Sequence, residues 1–390
     1  MPVLPMMSQW HWCRWLVALL GGACGAHAEE AALRLTAPQE YQVHQRSAPD
    51  GGWVTIRGVA TLPAGSGWVE SRWTGDSMVT DWQPVATLAP GQREFAGRQR
   101  APAGGWWGLT VRLRSPEGEV SRVEVSHVGV GEVFLVAGQS NAANHGEGLQ
   151  RPASGRVASF DGREWRLAVD PQAGASGTGG SFLPSFGDAL VERFGLPVGL
   201  IPIASGGTSV REWLPRGVRF TNPPTVLQRV RQVGPGEWES DGALYEVLAA
   251  RLREAGDRGI RAVLWHQGES DAHQKDPTRT LTGTRYREFL ERVIRDSRGA
   301  AGWSVPWFVA QASYHTPDDP GSEDIRSAQR SLAADGVALA GPDTDALTGA
   351  YRDQGGQGVH FSALGLKEHG RQWAEAVTPW LERIVDRPPE

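Results

Sequence analysis

The stretch VFLVAGQSNAANHGEG, residues 133–148, sets five apolar residues, Val133 to Ala137, directly before Gly138, Gln139, Ser140 and Asn141, all small or polar. A short apolar run bounded by a turn signal reads as a strand buried on both faces, as in a parallel sheet covered by helices. A hydroxyl is therefore presented where a buried strand ends. Downstream, apolar runs at 198–204, 262–265, 307–310 and 337–340 read as companion strands. Between them, SFGDALVERFG aligns Phe186, Leu190 and Phe194 on one helical face with Gly195 as its stop, and LYEVLAARLREAG and TRYREFLERVIRDSRG follow the same logic. The spacing predicts a closing helix over about 363–385, with Ser362 in a capping position. Alternating strands and helices imply a three-layer α/β fold with a mostly parallel sheet. Ligands of such sheets bind beyond the carboxyl ends of the strands, which is where Ser140 falls.

Residues 29–128 read differently. Short runs such as GWVTIRGVATL, WWGLTVRLRS and SRVEVSHVGV alternate apolar and polar residues between Pro, Gly, Asp and Ser turns, the pattern of a small all-β sandwich of the immunoglobulin-like kind. Its tryptophans, Trp53, Trp68, Trp73, Trp82, Trp106 and Trp107, suit either a stacking face for sugar rings or core and inter-domain packing. Residues 1–28 read as a secretory signal, with Arg14 as the positive end, an apolar core too short to span a bilayer, and Ala26-His27-Ala28 as a cleavage site. Export to the periplasm or the exterior is the expectation. The resulting organisation is a signal at 1–28, a β-sandwich at 29–128 and an α/β domain at 129–390.

Both cysteines, Cys13 and Cys24, lie inside the expected signal, so disulfide scaffolding, Cys-ligated zinc and a thiol nucleophile are not expected of the mature chain. The whole chain carries 39 basic and 44 acidic side chains, a net charge of -5, with no basic stripe. Nucleic acid is not an expected partner, and no second long apolar segment suggests a membrane span. The oligomeric state is left open by the sequence.

Four polar clusters follow the expected strand ends: GQSN (138–141), SGGTSVREW (205–213), WHQGESDAH (265–273) and GQGVHFS (356–362). Ester cleavage by serine needs a hydroxyl nucleophile, a histidine to take its proton, a carboxylate to hold the imidazole and donors for the developing oxyanion. The clusters supply all of these types. Ala142 stands where the α/β-hydrolase nucleophile elbow requires glycine, which disfavours that family.

The succession Gly-Gln-Ser-Asn, Gly-Gly-Thr-Ser, Trp-His-Gln-Gly-Glu and a late Val-His-Phe-Ser resembles the SGNH hydrolase superfamily, and within it the sialate O-acetylesterase and acetylxylan esterase branch of carbohydrate esterases. ALYEVL at 243–248 and IRSAQ at 325–329 add to the likeness, which runs from about Val130 to the C-terminus. The resemblance implies a flavodoxin-like three-layer fold, Ser140 as nucleophile and His360 as general base. It also implies an oxyanion hole from the amides of Ser140 and Gly207 and the side chain of Gln267. Gln139, Asn141, Thr208 and Arg326 become candidate substrate contacts. Many SGNH enzymes carry Asp three residues before the histidine; here that residue is Gln357, which holds no charge. Some members of the branch use the Glu of the His-Gln-Gly-Glu block, so Glu269 is the expected third member of the triad, with Asp353 as the fallback.

His266, Glu269, Asp271 and His273 are also metal-ligand types, which keeps a metal-dependent polysaccharide deacetylase as a rival reading, although their spacing matches no common zinc signature. The leading expectation is a cofactor-free exported esterase acting on an acetylated carbohydrate. A catalytically decayed carbohydrate binder, suggested by Gln357, is the alternative from another class.

Overall fold

The computed structural model describes residues 32–385 apart from 63–64 and 76–77. The expected signal at 1–28 lies outside the described residues, and the described residues from Ala32 onward belong to one compact unit. The N-terminal part contains β1 (Leu33–Ala37), β2 (Val43–Gln45), β3 (Gly51–Ala60), β4 (Gly67–Thr74), β5 (Gln83–Leu88), β6 (Glu94–Pro102), β7 (Gly104–Ser115) and the 21-residue β8 (Gly118–Gly138). The rest follows as β9 (Val157–Phe160), β10 (Trp165–Leu167), α1 (Leu183–Phe194), β11 (Val198–Pro202), β12 (Arg219–Phe220), β13 (Val230–Gly234), β14 (Glu237–Ser240), α2 (Ala243–Ala255), β15 (Ala262–His266), α3 (Gly283–Ala301), β16 (Trp307–Gln311), α4 (Glu323–Ala334), β17 (Leu339–Asp343), the single distorted turn α5 (Asp353–Gly356) and α6 (Ala363–Val385).

The large sheet is mixed, with the order β10-β9-β11-β8-β15-β16-β17. Its strands pair in parallel except for β10 on β9. Val133, Leu135 and Ala137 of β8 pack into one core with residues of α2, α3 and α4, while Phe134 and Val136 point into a second core with α1 and α6. Both faces of the strand are therefore covered, which is why the run is apolar without alternation. The chain leaves β8 towards β11 on one side and β15 on the other. In open α/β sheets ligands bind at such a switch point, outside the carboxyl ends of the strands.

In the N-terminal part, β1, β3 and β6 form one antiparallel sheet, and β4, β5, β7 and the first half of β8 pair antiparallel in another. Their alternating inward residues, among them Val54, Ile56, Val111 and Leu113, share a single core. No loop separates this part from the α/β part, because β8 continues through both. Glu132, 1 % exposed, sits within it as the acceptor for Arg46 and Arg261.

Residues 211–242 and 168–181, rich in Gly or Pro and without regular periodicity, each find a defined place. Residues 219–240 form the small antiparallel sheet β12-β14-β13. The stretch 168–181 runs against the segment after Ser140 through the bridges Asn144 with Gly177 and Gly146 with Gly180. The closing helix begins where expected, and the Ser362 hydroxyl accepts from the Gly365 amide at 3.1 Å. Among the described residues no helix is long and apolar enough to cross a membrane.

Candidate active site

The four polar clusters meet at the carboxyl ends of β8, β11 and β15. His266 pairs with Gly138 in the sheet register, and the Gln139 amide continues the ladder to the His266 carbonyl at 3.0 Å. The strand then turns sharply. Gly138 has φ 132°, and a Cβ there would lie 2.0 Å from the His266 carbonyl oxygen, so only glycine permits the approach. Ser140 opens a single 3-10 turn, Ser140–Ala142, and is 7 % exposed. The loop after β11 docks on the same turn: the Ser205 amide donates to the Gly138 carbonyl at 2.9 Å, and the Gly206 amide to the Ser176 hydroxyl at 2.6 Å. These bonds hold the loop that carries Gly207 against the end of β8. Among the described residues the amides of Ser140 and Gly207 donate to no protein acceptor. Unengaged amides are the kind of donor an oxyanion requires.

His360 reaches the turn from the other end of the chain. The Asn141 side-chain amide donates to the Val359 carbonyl at 3.1 Å, joining the residue after Ser140 to the residue before His360. Arg352 donates to the same carbonyl at 2.9 Å while its guanidinium lies against the rings of Tyr314 and Phe361. Asp353 stands 3.6 Å from His360 Nδ1, and its other oxygen accepts from the His360 backbone amide at 3.1 Å. The carboxylate can come so close because position 358 is glycine; a Cβ there would meet Asp353 Oδ1 at 1.7 Å.

This differs from the expected triad. Glu269 is buried, and its Oε1 accepts from Asn141 at 2.8 Å while its Oε2 has no partner; no contact within ion-pair distance links it to His360. The carboxylate beside the imidazole is the fallback, Asp353. Gln357 is exposed on the same turn. The left-handed backbone of Gln354 and Gly355 curls the chain back so that Asp353, rather than residue 357, faces His360.

Gln267 also departs from expectation. Its amide nitrogen donates to Asp271 at 2.7 Å, the Thr208 carbonyl at 3.1 Å and Gln139 at 3.2 Å, and the residue is fully buried, so the group is not free for an oxyanion. Its role is to fasten the loops together. Gln139 accepts from the Ser270 amide at 3.0 Å, and Thr208 donates to the Ser205 carbonyl at 2.7 Å. Both are buried braces, not substrate contacts. Arg326 is held by Asp343 at 2.7 Å and Asp345 at 2.9 Å. Asn141, the fourth candidate contact, is 4 % exposed and ties the turn after β8 to the segment before His360.

The residues of the metal reading serve separate bonds. His266 Nε2 meets the Thr344 hydroxyl at 2.8 Å, Asp271 accepts from the Val210 amide at 2.8 Å, and His273 pairs with Asp319 at 2.6 Å. Because that Thr344 hydroxyl donates to the Gln311 carbonyl at 2.9 Å, His266 must be the donor in their bond. Burial lowers the His266 pKa and keeps the ring neutral. Among the described residues no group of three His, Cys, Asp or Glu side chains is disposed to hold a metal ion.

One site residue escaped the sequence reading. His145 reads in the sequence as a solvated loop residue, yet its ring lies 5.4 Å from that of His360 and its Nε2 meets the Ser176 hydroxyl at 3.2 Å. Burial, and then the charge of His360, lowers its pKa. Its spacing of five from Ser140 carries no signal; the fold of 168–181 onto 144–146 brings it in.

A hydroxyl at a strand end, two amides without a protein acceptor and a histidine–carboxylate pair are the groups that ester cleavage by serine requires. Residues 130–379 match the family of carbohydrate esterases described as sialic acid-specific acetylesterases, and the chain belongs to it. A protein described as a "probable carbohydrate esterase" of Arabidopsis thaliana is 26 % identical over 194 residues, 43 % of this chain. The chain spans 63 % of the length of that relative. A crystal structure of a carbohydrate acetylesterase from Xanthomonas citri superposes with a TM-score of 0.52 at 18 % identity, over 88 % of this chain and 74 % of that one.

Proposed function

We propose that the protein is an exported esterase that removes O-acetyl groups from a carbohydrate through an acetyl-enzyme, with Ser140, His360 and Asp353 as its triad. The observation that carries this reading is the junction of Ser140 with the His360–Asp353 pair through the Asn141–Val359 hydrogen bond. His360 takes the Ser140 proton as Oγ adds to the ester carbonyl, and the amides of Ser140 and Gly207 bind the resulting oxyanion. The protonated histidine gives that proton to the departing sugar hydroxyl, leaving acetyl on Ser140. Water, deprotonated by His360, repeats the addition and releases acetate. Asp353 holds the ring and stabilises its imidazolium form. Family membership and the fold shared with a carbohydrate acetylesterase support acetyl and sugar as the two halves of the substrate.

We read the N-terminal strands as a β-sandwich accessory to an SGNH domain in which helices cover both faces of the sheet, and residues 1–28 as the export signal. A carboxylate beside His360 removes the reason for a decayed site that Gln357 supplied. Acetate release by the purified protein from acetylated sugars, with Ser140→Ala alongside, tests the proposal. The variant should keep its thermal midpoint and lose about 10³-fold or more in rate, since a triad acts as a unit. Acetate release by Ser140→Ala near the wild-type rate would refute the assignment.

A further inference from the structure

The tryptophans of the N-terminal strands divide by environment. Trp73 is buried in the core, and Trp82 lies beneath the guanidinium of Arg112, whereas Trp53 is 49 % exposed. Trp53, Thr55 and Arg57 project from one face of β3, and the register sets Arg100 opposite Trp53 and Arg98 opposite Thr55 on β6. Part of this face, together with Arg258, Trp303 and Trp380, lines a cleft of about 1410 Å³. Val133, Arg261 and Pro306, at the starts of β8's second half, β15 and β16, also line it, so it lies at the end of the sheet remote from Ser140. Sites for small molecules usually occupy roughly 300–1,000 Å³, so this cleft suits an extended ligand.

Its charge opposes that of the chain. The protein carries a net charge of -5, yet six arginines line the cleft against two carboxylates, Glu254 and Asp257. Arg46 and Arg261 close on Glu132, and Arg251 pairs with Glu254 at 2.6 Å. Arg57, Arg98 and Arg258 form no ion pair among the described residues. Arg98 stands 5.5 Å from the centre of the Trp53 ring, which sets a flat apolar surface beside an unmatched cation.

We propose that this cleft is a second, non-catalytic site that binds an acidic polysaccharide, a glycan chain bearing carboxylates. The apolar C–H face of one sugar lies on the Trp53 indole, and the carboxylates of neighbouring sugars meet the forked guanidiniums of Arg57 and Arg98. Such a site holds the protein on a polymer while the remote rim acts on its esters. This goes beyond the proposed reaction, and its test does not depend on that reaction.

The experiment is affinity electrophoresis of the full chain through gels containing polygalacturonate, neutral xylan or double-stranded DNA. Polygalacturonate should retard the wild type, and its apparent affinity should fall about tenfold or more in Arg57→Gln/Arg98→Gln, the loss expected for charged hydrogen bonds, and measurably in Trp53→Ala. Thermal midpoints and nitrophenyl acetate turnover should not change in either variant. The proposal is overturned if polygalacturonate does not retard the wild type, or if both variants migrate like it. Equal retardation by xylan overturns the acidic ligand. Retardation by DNA that persists in Trp53→Ala shows a plain polyanion patch and overturns the glycan.

Discussion

Two carboxylates connect to His360, the proposed general base, by different routes, and they can be told apart by substitution. Asp353 faces the imidazole across 3.6 Å, whereas Glu269 acts through Asn141 and the Val359 carbonyl. Asp353→Asn should lower kcat by about 10² to 10⁴ with little change in KM, because the imidazolium loses its counter-charge in the transition state. Glu269→Gln keeps an oxygen for Asn141 to bond and should lose far less, while Glu269→Ala frees Asn141 and should cost more than the Gln variant. A Glu269→Gln enzyme as impaired as Asp353→Asn would return Glu269 to the triad. The position of Ser140 at a strand end was legible because an apolar run that breaks into small polar residues is a one-dimensional signal. The choice between Asp353 and Glu269 was not, since it depends on left-handed backbone at Gln354 and Gly355 that no spacing reveals. Gln267 misled for a related reason: Asp271, four residues on, takes the amide that the resemblance assigns to an oxyanion.

At the scale of elements, the turn after β8 and the short 3-10 turn Val210–Trp213 beside it bear most of the site's geometry. Gly138→Ala forces a side chain against the His266 carbonyl 2.0 Å away, at a φ of 132° that disfavours any Cβ. The strand end must shift, and a displacement of about 1 Å at a nucleophile can cost 10² in rate. Kinetics with Gly138→Ala should show that loss together with a lower thermal midpoint; wild-type turnover would contradict the argument. The 3-10 turn is closed by Ser209 and Glu212, whose carboxylate accepts from the Ser209 amide at 2.9 Å. Glu212 is fully buried, and that burial pushes its pKa up to about 7 from the ordinary 4.5. Its native state thus holds a proton that the unfolded chain has released. The stability this contributes is fully present below about pH 4.5 and is lost as pH rises through about 7, up to about 3 kcal/mol. Glu212→Gln keeps the acceptor and removes the titration, so the variant should gain stability relative to wild type across that window, measured by urea unfolding at pH 4.5 and 8. An equal difference at both values would show that burial does not raise the Glu212 pKa. The strands and helices of this half were legible because their periodicity is local, whereas the Ser209–Glu212–Asp271 brace joins segments 60 residues apart.

Over the whole molecule, β8 decides how the two parts respond to stress. Its first half pairs with β7 and its second half with β11 and β15, so neither core can open without disturbing the strand that the other also uses. The alternation in residues 29–128 was readable, but the continuity was not, because the change of pattern near residue 130 looks the same for a linker as for a strand passing from one core to another. Glu132 strengthens the junction, buried between Arg46 from the N-terminal part and Arg261 at the foot of β15. Removing one member of a buried ion group costs about 3–5 kcal/mol, chiefly through the charges left unmatched. Glu132→Gln should therefore lower the thermal midpoint of the entire protein by several degrees while unfolding stays a single transition, with tryptophan fluorescence and esterase activity lost together. Scanning calorimetry beside activity assays on heated samples reads both. Two resolved transitions, with activity surviving the first, would mean that the N-terminal strands melt alone and that β8 divides near Gly131 despite its unbroken course. A single transition would make the N-terminal strands part of what holds Ser140 in place, and their deletion should then abolish activity.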